Sequence, residues 1–109
     1  MAFTAYHNID GSDGVNVELL ARGDNASNIK SILITNTTAG SANVSLYIQD
    51  QPSSAVAKTY YLCKDITIPI RSSLLLDDTN MLSFDNSLSG YALHFTIGGS
   101  ETADILITR

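Results

Sequence analysis

The chain has 109 residues, a length typical of one domain, and a net charge of −5. Its six Lys and Arg residues are scattered in an acidic chain, which argues against nucleic-acid binding through neutralised phosphates. One cysteine leaves no internal disulfide, and neither a signal peptide nor the ~20 apolar residues of a membrane helix can be found, so we expect a protein of the reducing cytoplasm with no membrane partner.

The first residues show no hydrophobic period. They end in the turn-like Gly11-Ser-Asp-Gly14. We therefore interpret residues 1–14 as an N-terminal arm and residues 15–109 as the folded domain. On this interpretation, deletion of residues 1–10 leaves the fold intact and weakens assembly with a partner.

From residue 15 onward the pattern is that of β-strands, in which apolar and polar residues alternate with a period of two. The alternating runs are Val15–Leu19, Ile32–Ile34, Val44–Ile48, Tyr60–Leu62, Ile66–Ile70, Tyr91–Ile97 and Ile105–Ile107.

Clusters of Gly, Asn, Asp and Ser separate these runs at a spacing of roughly ten residues, typical of a sandwich or barrel. Pro69 cannot donate to a strand ladder, so its strand is expected at a sheet edge or a bulge. The segment Ser72–Asp78 is ambiguous and too short for a stable helix. The fold class we predict is all-β: an antiparallel β-sandwich, jelly-roll-like or immunoglobulin-like.

The tripeptide Arg22-Gly23-Asp24 is a cell-adhesion signal in other proteins. It follows a predicted strand and precedes turn-like residues, so exposure is expected of it in any case. A chance match occurs in roughly a few of every hundred chains of this length. We interpret the tripeptide as a turn.

Two acidic clusters are candidates for a calcium site or an acid–base pair. Asp10, Ser12 and Asp13 miss the alternating spacing of a calcium loop, and Glu18 follows Gly14 too early. Asp77 and Asp78 are adjacent and would face opposite sides of a strand, which is poor geometry for an acid–base pair. Both clusters are interpreted as turns.

The sequence shows no catalytic constellation. His7, Cys63 and His94 are the only residues of their types, and no pair has the short spacing of a metal site. Cys63 lies in a strand beside Leu62 and is interpreted as a small buried hydrophobe. The common hydrolase, phosphate-loop, zincin and dinucleotide signatures are absent. We therefore predict no enzyme, no cofactor, and no catalytic or metal-binding residue.

The tyrosines offer a different kind of surface. Tyr47 and Tyr61 both face outward if Leu46 and Leu62 point into the core. Without tryptophan, a sugar-binding face would have to rely on tyrosine, and two outward tyrosines suit a protein interface equally well.

Residues 29–109 resemble a type of small virion protein from tailed bacteriophages, particularly marine and cyanobacterial ones. The similarity lies in "IKSILITNTTAGSANVSLYIQD" and in "KTYYLCKDITIPIRSSLLLDDTNMLSFDNSLSGYALHFTI". These segments pair an Ile-Thr-Asn strand end with a Val-Ser-Leu-x-Ile strand, then a tyrosine-rich strand and an Ile-Pro-Ile segment. The resemblance concerns β-sandwich building blocks, so it carries over no functional residue.

The resemblance implies a non-enzymatic structural protein of the virion, assembled in the host cytoplasm. Within that class we expect a capsid decoration (cement) protein that acts as a homo-oligomer through contacts with other virion proteins. A tail, neck or fibre component is the first alternative. A module that binds glycan or protein on the host surface is the second, and an enzyme using Cys63 or His94 is the third.

Overall fold

The computed structural model describes residues 5–24, 29–50 and 57–109. These residues form eight β-strands and no helix. The strands are β1 (Ala5–Asp10), β2 (Asn16–Leu20), β3 (Ser31–Asn36), β4 (Ala42–Gln49), β5 (Thr59–Ile68), β6 (Ser73–Leu76), β7 (Ala92–Ile97) and β8 (Thr102–Thr108). A membrane-spanning helix is not found in the described part of the chain.

The strands form two four-stranded antiparallel sheets. Sheet A has the order β1-β8-β3-β6, and sheet B has the order β2-β7-β4-β5. The first strand pairs with the last, the second with the seventh, the third with the sixth and the fourth with the fifth. Successive pairs alternate between the sheets, as in a long hairpin wound around a core. The predicted antiparallel β-sandwich is confirmed, and its strand order is that of a jelly roll.

The core lies between the sheets because each strand turns its apolar residues to one side. The inner face of sheet A holds four completely buried side chains: Ile32 and Ile34 of β3, and Ile105 and Ile107 of β8. Phe95 of β7 is completely buried on the facing side of sheet B. Each such side chain contributes about 1.5–3 kcal/mol by leaving water.

The structure differs from the expected arm at the N-terminus. Residues Ala5–Asp10 form β1, an edge strand that pairs with β8 along its whole length. Ile9 is buried, and Ala5 packs against the core. This strand is not evident in the sequence, because the inner face of the strand is formed by an alanine, a histidine and one isoleucine. The sandwich therefore begins at residue 5 among the described residues, and the boundary at residue 15 is corrected.

The expectation for Pro69 is confirmed. The two runs on either side of residue 64 form one strand, β5, which is the edge of sheet B and ends just before Pro69. Its pairing with β4 is irregular at two points, and Asp65 has a φ of 53° there. The ambiguous segment after Pro69 contains β6, the edge of sheet A opposite β1.

The buried side-chain amide of Asn36 connects three segments of the chain at the end of β3 by hydrogen bonds. The Asn36 Nδ2 donates to the carbonyl oxygens of Gly40 (2.8 Å), Ile68 (3.0 Å) and Pro69 (3.2 Å). Its Oδ1 accepts from the Thr38 N–H at 2.8 Å. Asn36 is only 3% exposed, so these bonds replace water that the amide and the carbonyls have lost.

Candidate interaction surfaces

The cysteine and the histidine considered for nucleophilic chemistry lie on opposite sides of sheet B. Cys63 is paired with Leu46, and His94 is paired with Tyr47, the next residue of β4. Consecutive strand residues point to opposite faces, so Cys63 packs against the core while His94 faces outward. Burial raises the pKa of the Cys63 thiol, which opposes formation of a thiolate. The fold does not bring these two groups together.

The other histidine is partly buried and faces the interior of the sandwich. His7 on β1 is opposite Ile105, whose side chain is completely buried in the core. The His7 Nε2 is buried and has no hydrogen-bond partner among the described residues. Burial lowers the pKa of His7, so the neutral imidazole is the form that the fold favours.

The acidic cluster near Gly11 forms a turn, as predicted. The Asp10 Oδ1 accepts from the Ser12 N–H at 2.9 Å and from the Ser12 hydroxyl at 2.7 Å. Asp10, Asp13 and Glu18 do border one shallow cleft, but no group of three acidic, histidine or cysteine side chains in the described ranges is arranged to hold a metal ion.

The second acidic cluster is also a turn. The Asp78 Oδ1 accepts from the backbone N–H of Asn80 at 3.0 Å. This bond closes the turn that follows β6, and both Asp77 and Asp78 lie outside the strand.

The Arg22-Gly23-Asp24 tripeptide forms a turn whose backbone and side-chain groups make hydrogen bonds within the fold. The Asp24 N–H donates to the Ala21 carbonyl oxygen at 3.1 Å, and the Asp24 Oδ2 accepts from the Ala21 N–H at 2.9 Å. Gly23 has a φ of 96°, a conformation that favours glycine, and its N–H donates to the Asn86 carbonyl oxygen. These bonds account for the tripeptide as a structural turn.

The outer face of sheet A carries a line of apolar side chains across all four strands. Tyr6 lies opposite Leu106, Leu106 opposite Leu33, and Leu33 opposite Leu75. Directly opposite residues share a face, so these four residues form what we call the apolar row. Tyr6 is 66% exposed and Leu75 is 53% exposed.

Polar residues border the apolar row on both sides. Asn8, Asp104, Thr35 and Ser73 form the next row along the strands. Within it, the Asn8 Nδ2 donates to Asp104 Oδ1 at 2.6 Å, and the Thr35 and Ser73 hydroxyls are 2.9 Å apart. Thr108 and Ser31 lie on the other side. An exposed apolar strip with polar margins is typical of an interaction surface.

The sequence analysis did not predict the apolar row, although the sequence contains a pattern that indicates it. Leu33, Leu75 and Leu106 are each the middle residue of an uninterrupted apolar triplet. In a strand of a two-layer sandwich, only alternate residues reach the core, so either the middle residue of such a triplet or its two neighbours must face outward. The triplets therefore indicate an outer face that is not entirely polar.

The outer face of sheet B carries a second cross-strand line, which we call the tyrosine row: Glu18, His94, Tyr47 and Tyr61. The Tyr47 ring stacks on the His94 ring, with centroids 5.1 Å apart, and contacts the Tyr61 ring at 5.3 Å. The predicted outward orientation of both tyrosines is confirmed.

The tyrosine row is buried in its middle and exposed at both ends. Tyr47 is 6% exposed, whereas Tyr61 is 48% exposed and carries the Lys64 Nζ at 4.9 Å from its ring centroid. Nearer the middle, the His94 Nε2 has no hydrogen-bond partner among the described residues, and Glu18 Oε2 is 4.0 Å away. Burial lowers the pKa of His94 more than the Glu18 carboxylate raises it.

Basic residues gather at the end of sheet A where β3 begins and β8 ends. Lys30 and Arg109 flank these strands and border an open cleft of about 660 Å³, together with Ile29, Thr79, Asn80 and Ser83. The acidic Asp10 and Asp104 lie on the other side of the apolar row. Asp77 and Asp78 follow β6 at the same end as Lys30 and Arg109, so both signs of charge are present there.

No family model matches this chain, and no curated protein or solved structure is significantly similar to it.

Proposed function

We propose that this chain is a non-enzymatic structural protein of a bacteriophage particle, and specifically a capsid decoration protein that acts through assembly contacts. The observation that carries the proposal is the apolar row on sheet A. A four-residue apolar line that includes a 66% exposed tyrosine and a 53% exposed leucine is costly to leave in water. A protein that works as part of an assembly covers such a surface permanently.

The architecture supports the same proposal by analogy. Jelly rolls are common in viral capsid domains, although they also occur in lectins and in cupins, so the fold alone does not assign a function. The resemblance of residues 29–109 to small virion proteins of tailed phages points in the same direction. A tail, neck or fibre protein would use the same kind of contact at another position on the particle.

Gold-labelled antibody against this chain, applied to purified phage particles, tests the proposal. Electron microscopy is expected to show label distributed over the head. Label confined to the neck, tail or fibres would replace the decoration role by the alternative location. No label on intact or on opened particles would overturn the structural role itself.

A second candidate function follows from the tyrosine row. Exposed aromatic side chains beside a cation suit recognition of a host-surface glycan or protein, and Tyr61 with Lys64 offers such a pair. In that case the isolated chain would bind host envelopes, and Tyr61→Ala would reduce the bound amount. Leu88→Ala, at the 77% exposed Leu88 in the loop before β7, is the control. A decoration protein is expected to show no envelope binding as a free domain.

A further inference from the structure

We propose that the outer edge of β1 binds an extended, basic segment of another polypeptide, which adds a fifth, antiparallel strand to sheet A. Added strands are held by main-chain hydrogen bonds, and their alternate side chains provide specificity. The inference rests on the proposed assembly function and deepens it, because it names the kind of partner and the place where that partner binds.

The four edge strands of the sandwich differ in how well they can accept another strand. A regular, exposed edge is a template for pairing, whereas bulges and very short strands hinder it. The ladder of β5 with β4 is irregular at two points, β2 shifts register between Glu18 and Leu20, and β6 has only four residues. By contrast, β1 pairs with β8 over six consecutive residues without a shift. Among the described residues, β1 therefore presents the regular edge.

The backbone of Asn8 points out of this edge. The Gly11 N–H donates to the Glu101 carbonyl oxygen at 2.8 Å, which continues the ladder of β1 and β8 by one residue. Backbone groups in an antiparallel ladder alternate between the two sides of a strand, so the odd-numbered residues of β1 bond to β8 and Asn8 points away from it. The Asn8 Nδ2 donates to Asp104 Oδ1 at 2.6 Å, so the side chain is directed toward β8 and leaves the edge uncovered.

Carboxylates line the cleft beside this edge. The cleft has a volume of about 370 Å³ and lies between β1 and β2, where Asp10, Asp13 and Glu18 border it. No lysine or arginine of the described ranges is part of its lining. Complementary charge steers a partner to a surface and selects among partners. The cleft therefore favours a segment that carries cations.

The fold also predicts the pattern of side chains on the added strand. Residues directly opposite each other share a face, so a residue opposite Tyr6 faces outward and continues the apolar row. A residue opposite Ile9 faces inward, because Ile9 is buried between the sheets. The sheets of a sandwich lie about 10 Å apart, so a long cationic side chain at an inward position reaches toward the carboxylates near β2. We therefore expect apolar and basic residues to alternate.

Fluorescence anisotropy with the full chain and a labelled octapeptide of alternating Val and Lys tests the proposal. The peptide is expected to bind saturably, and a peptide with Glu in place of Lys is expected to bind at least about tenfold more weakly. In the antiparallel arrangement the Val amides face β1 and the Lys amides face away. N-methylation of the Val amides is therefore expected to weaken binding at least about tenfold, and N-methylation of the Lys amides is the matched control.

Substitutions test the same contact from the protein side. Asn8→Pro removes the outward N–H but no bond of the ladder to β8, and it is expected to weaken binding at least about tenfold. Asn8→Ala keeps the N–H and is expected to bind within about twofold of the wild type. Asp13→Lys is expected to weaken binding by about threefold or more, whereas Asp77→Lys, at an exposed residue that follows β6, makes the same charge change at the other edge of sheet A and is expected to have less effect.

Hydrogen exchange gives a reading that needs no substitution: the Asn8 amide is expected to exchange more slowly in the complex. No binding of the Val-Lys peptide would overturn the inference, as would equal effects of the two N-methylations or an unprotected Asn8 amide in the complex. Label on the particle without peptide binding would leave the proposed function standing and remove only the edge site. Peptide binding without label on any particle would do the reverse.

Discussion

Asn36 shows how much of this fold can depend on one polar side chain. Its amide joins the end of β3 to the carbonyl oxygens of Ile68 and Pro69, at the point where β5 leaves sheet B. The same side chain accepts a bond from Thr38 and donates one to Gly40, which shapes the turn before β4. Both sheets are therefore joined through a residue that has almost no contact with water.

We predict that Asn36→Ala lowers the free energy of unfolding by about 2–4 kcal/mol, because it leaves buried backbone groups without hydrogen-bond partners. Urea denaturation followed by circular dichroism measures the loss. Asn16→Ala, at an exposed position of β2, is the control and is expected to change stability by less than about 0.5 kcal/mol. Equal effects of the two substitutions would contradict the structural role of Asn36.

The two histidines lead to a prediction about how the stability of the fold depends on pH. Burial lowers the pKa of both His7 and His94 in the folded chain, whereas an unfolded histidine titrates near about 6.5. Below that pH the unfolded chain binds more protons than the folded chain, so stability falls as the pH falls. The loss begins as the pH drops through about 6.5, ends once it has passed the folded pKa values, and is absent above about 7.5.

Urea denaturation at a series of pH values measures this dependence. His7→Leu is expected to reduce the slope, because it removes the histidine on the inner face of sheet A. His94→Gln is the matched variant for the outer face of sheet B. Titration of the imidazole protons by NMR gives an independent reading, and values at or above 6.5 for both histidines would contradict the prediction.

At the scale of elements, β1 shows why an edge strand can escape detection in a sequence. One face of β1 holds Tyr6, Asn8 and Asp10, and the other holds Ala5, His7 and Ile9. Only Ile9 has the size of a usual core residue. The strand is held by its ladder to β8, whose residues lie about a hundred positions away in sequence, and by the core that it covers.

We now expect deletion of residues 1–10 to lower the free energy of unfolding by at least about 3 kcal/mol, because it removes Ile9 from the core and uncovers the edge of β8. This reverses the expectation from sequence that the fold would survive the deletion intact. Thermal unfolding followed by circular dichroism measures the effect. Tyr6→Ala, on the exposed face of the same strand, is the control and is expected to stay within about 1 kcal/mol of the wild type.

For the whole molecule, the essential feature is that the two rows lie on opposite outer surfaces of one sandwich. The apolar row belongs to sheet A and the tyrosine row to sheet B, with the core between them. A change on one outer face therefore reaches the other only through the packed interior. Distant sites without shared neighbours generally behave independently.

We predict that Leu75→Glu reduces incorporation into particles, whereas Tyr61→Ala leaves incorporation unchanged. The physical reason is that only Leu75 lies on the apolar row, and both side chains are half-exposed, so neither substitution opens the core. Quantitative blotting of purified particles from hosts that express each variant measures incorporation. Equal incorporation of the two variants would mean that sheet A is not the assembly face.

Local pattern was sufficient to predict most strands from the sequence. The runs Val44–Ile48 and Tyr91–Ile97 alternate because one side of each strand meets the core and the other does not. Pro69 indicated a strand at a sheet edge or a bulge, because it cannot donate to a ladder. The outward orientation of Tyr47 and His94 follows from the same period.

The sequence by itself determined the class of fold, the two-faced character of its strands and the absence of a familiar catalytic signature. Only the tertiary structure decided that β1 belongs to sheet A and that the two outer rows exist at all. The reason is that each row is assembled from four strands that are far apart in the chain, and strand order is set by long-range pairing. Residues 6, 33, 75 and 106 become neighbours only when that pairing forms, and no local period records it.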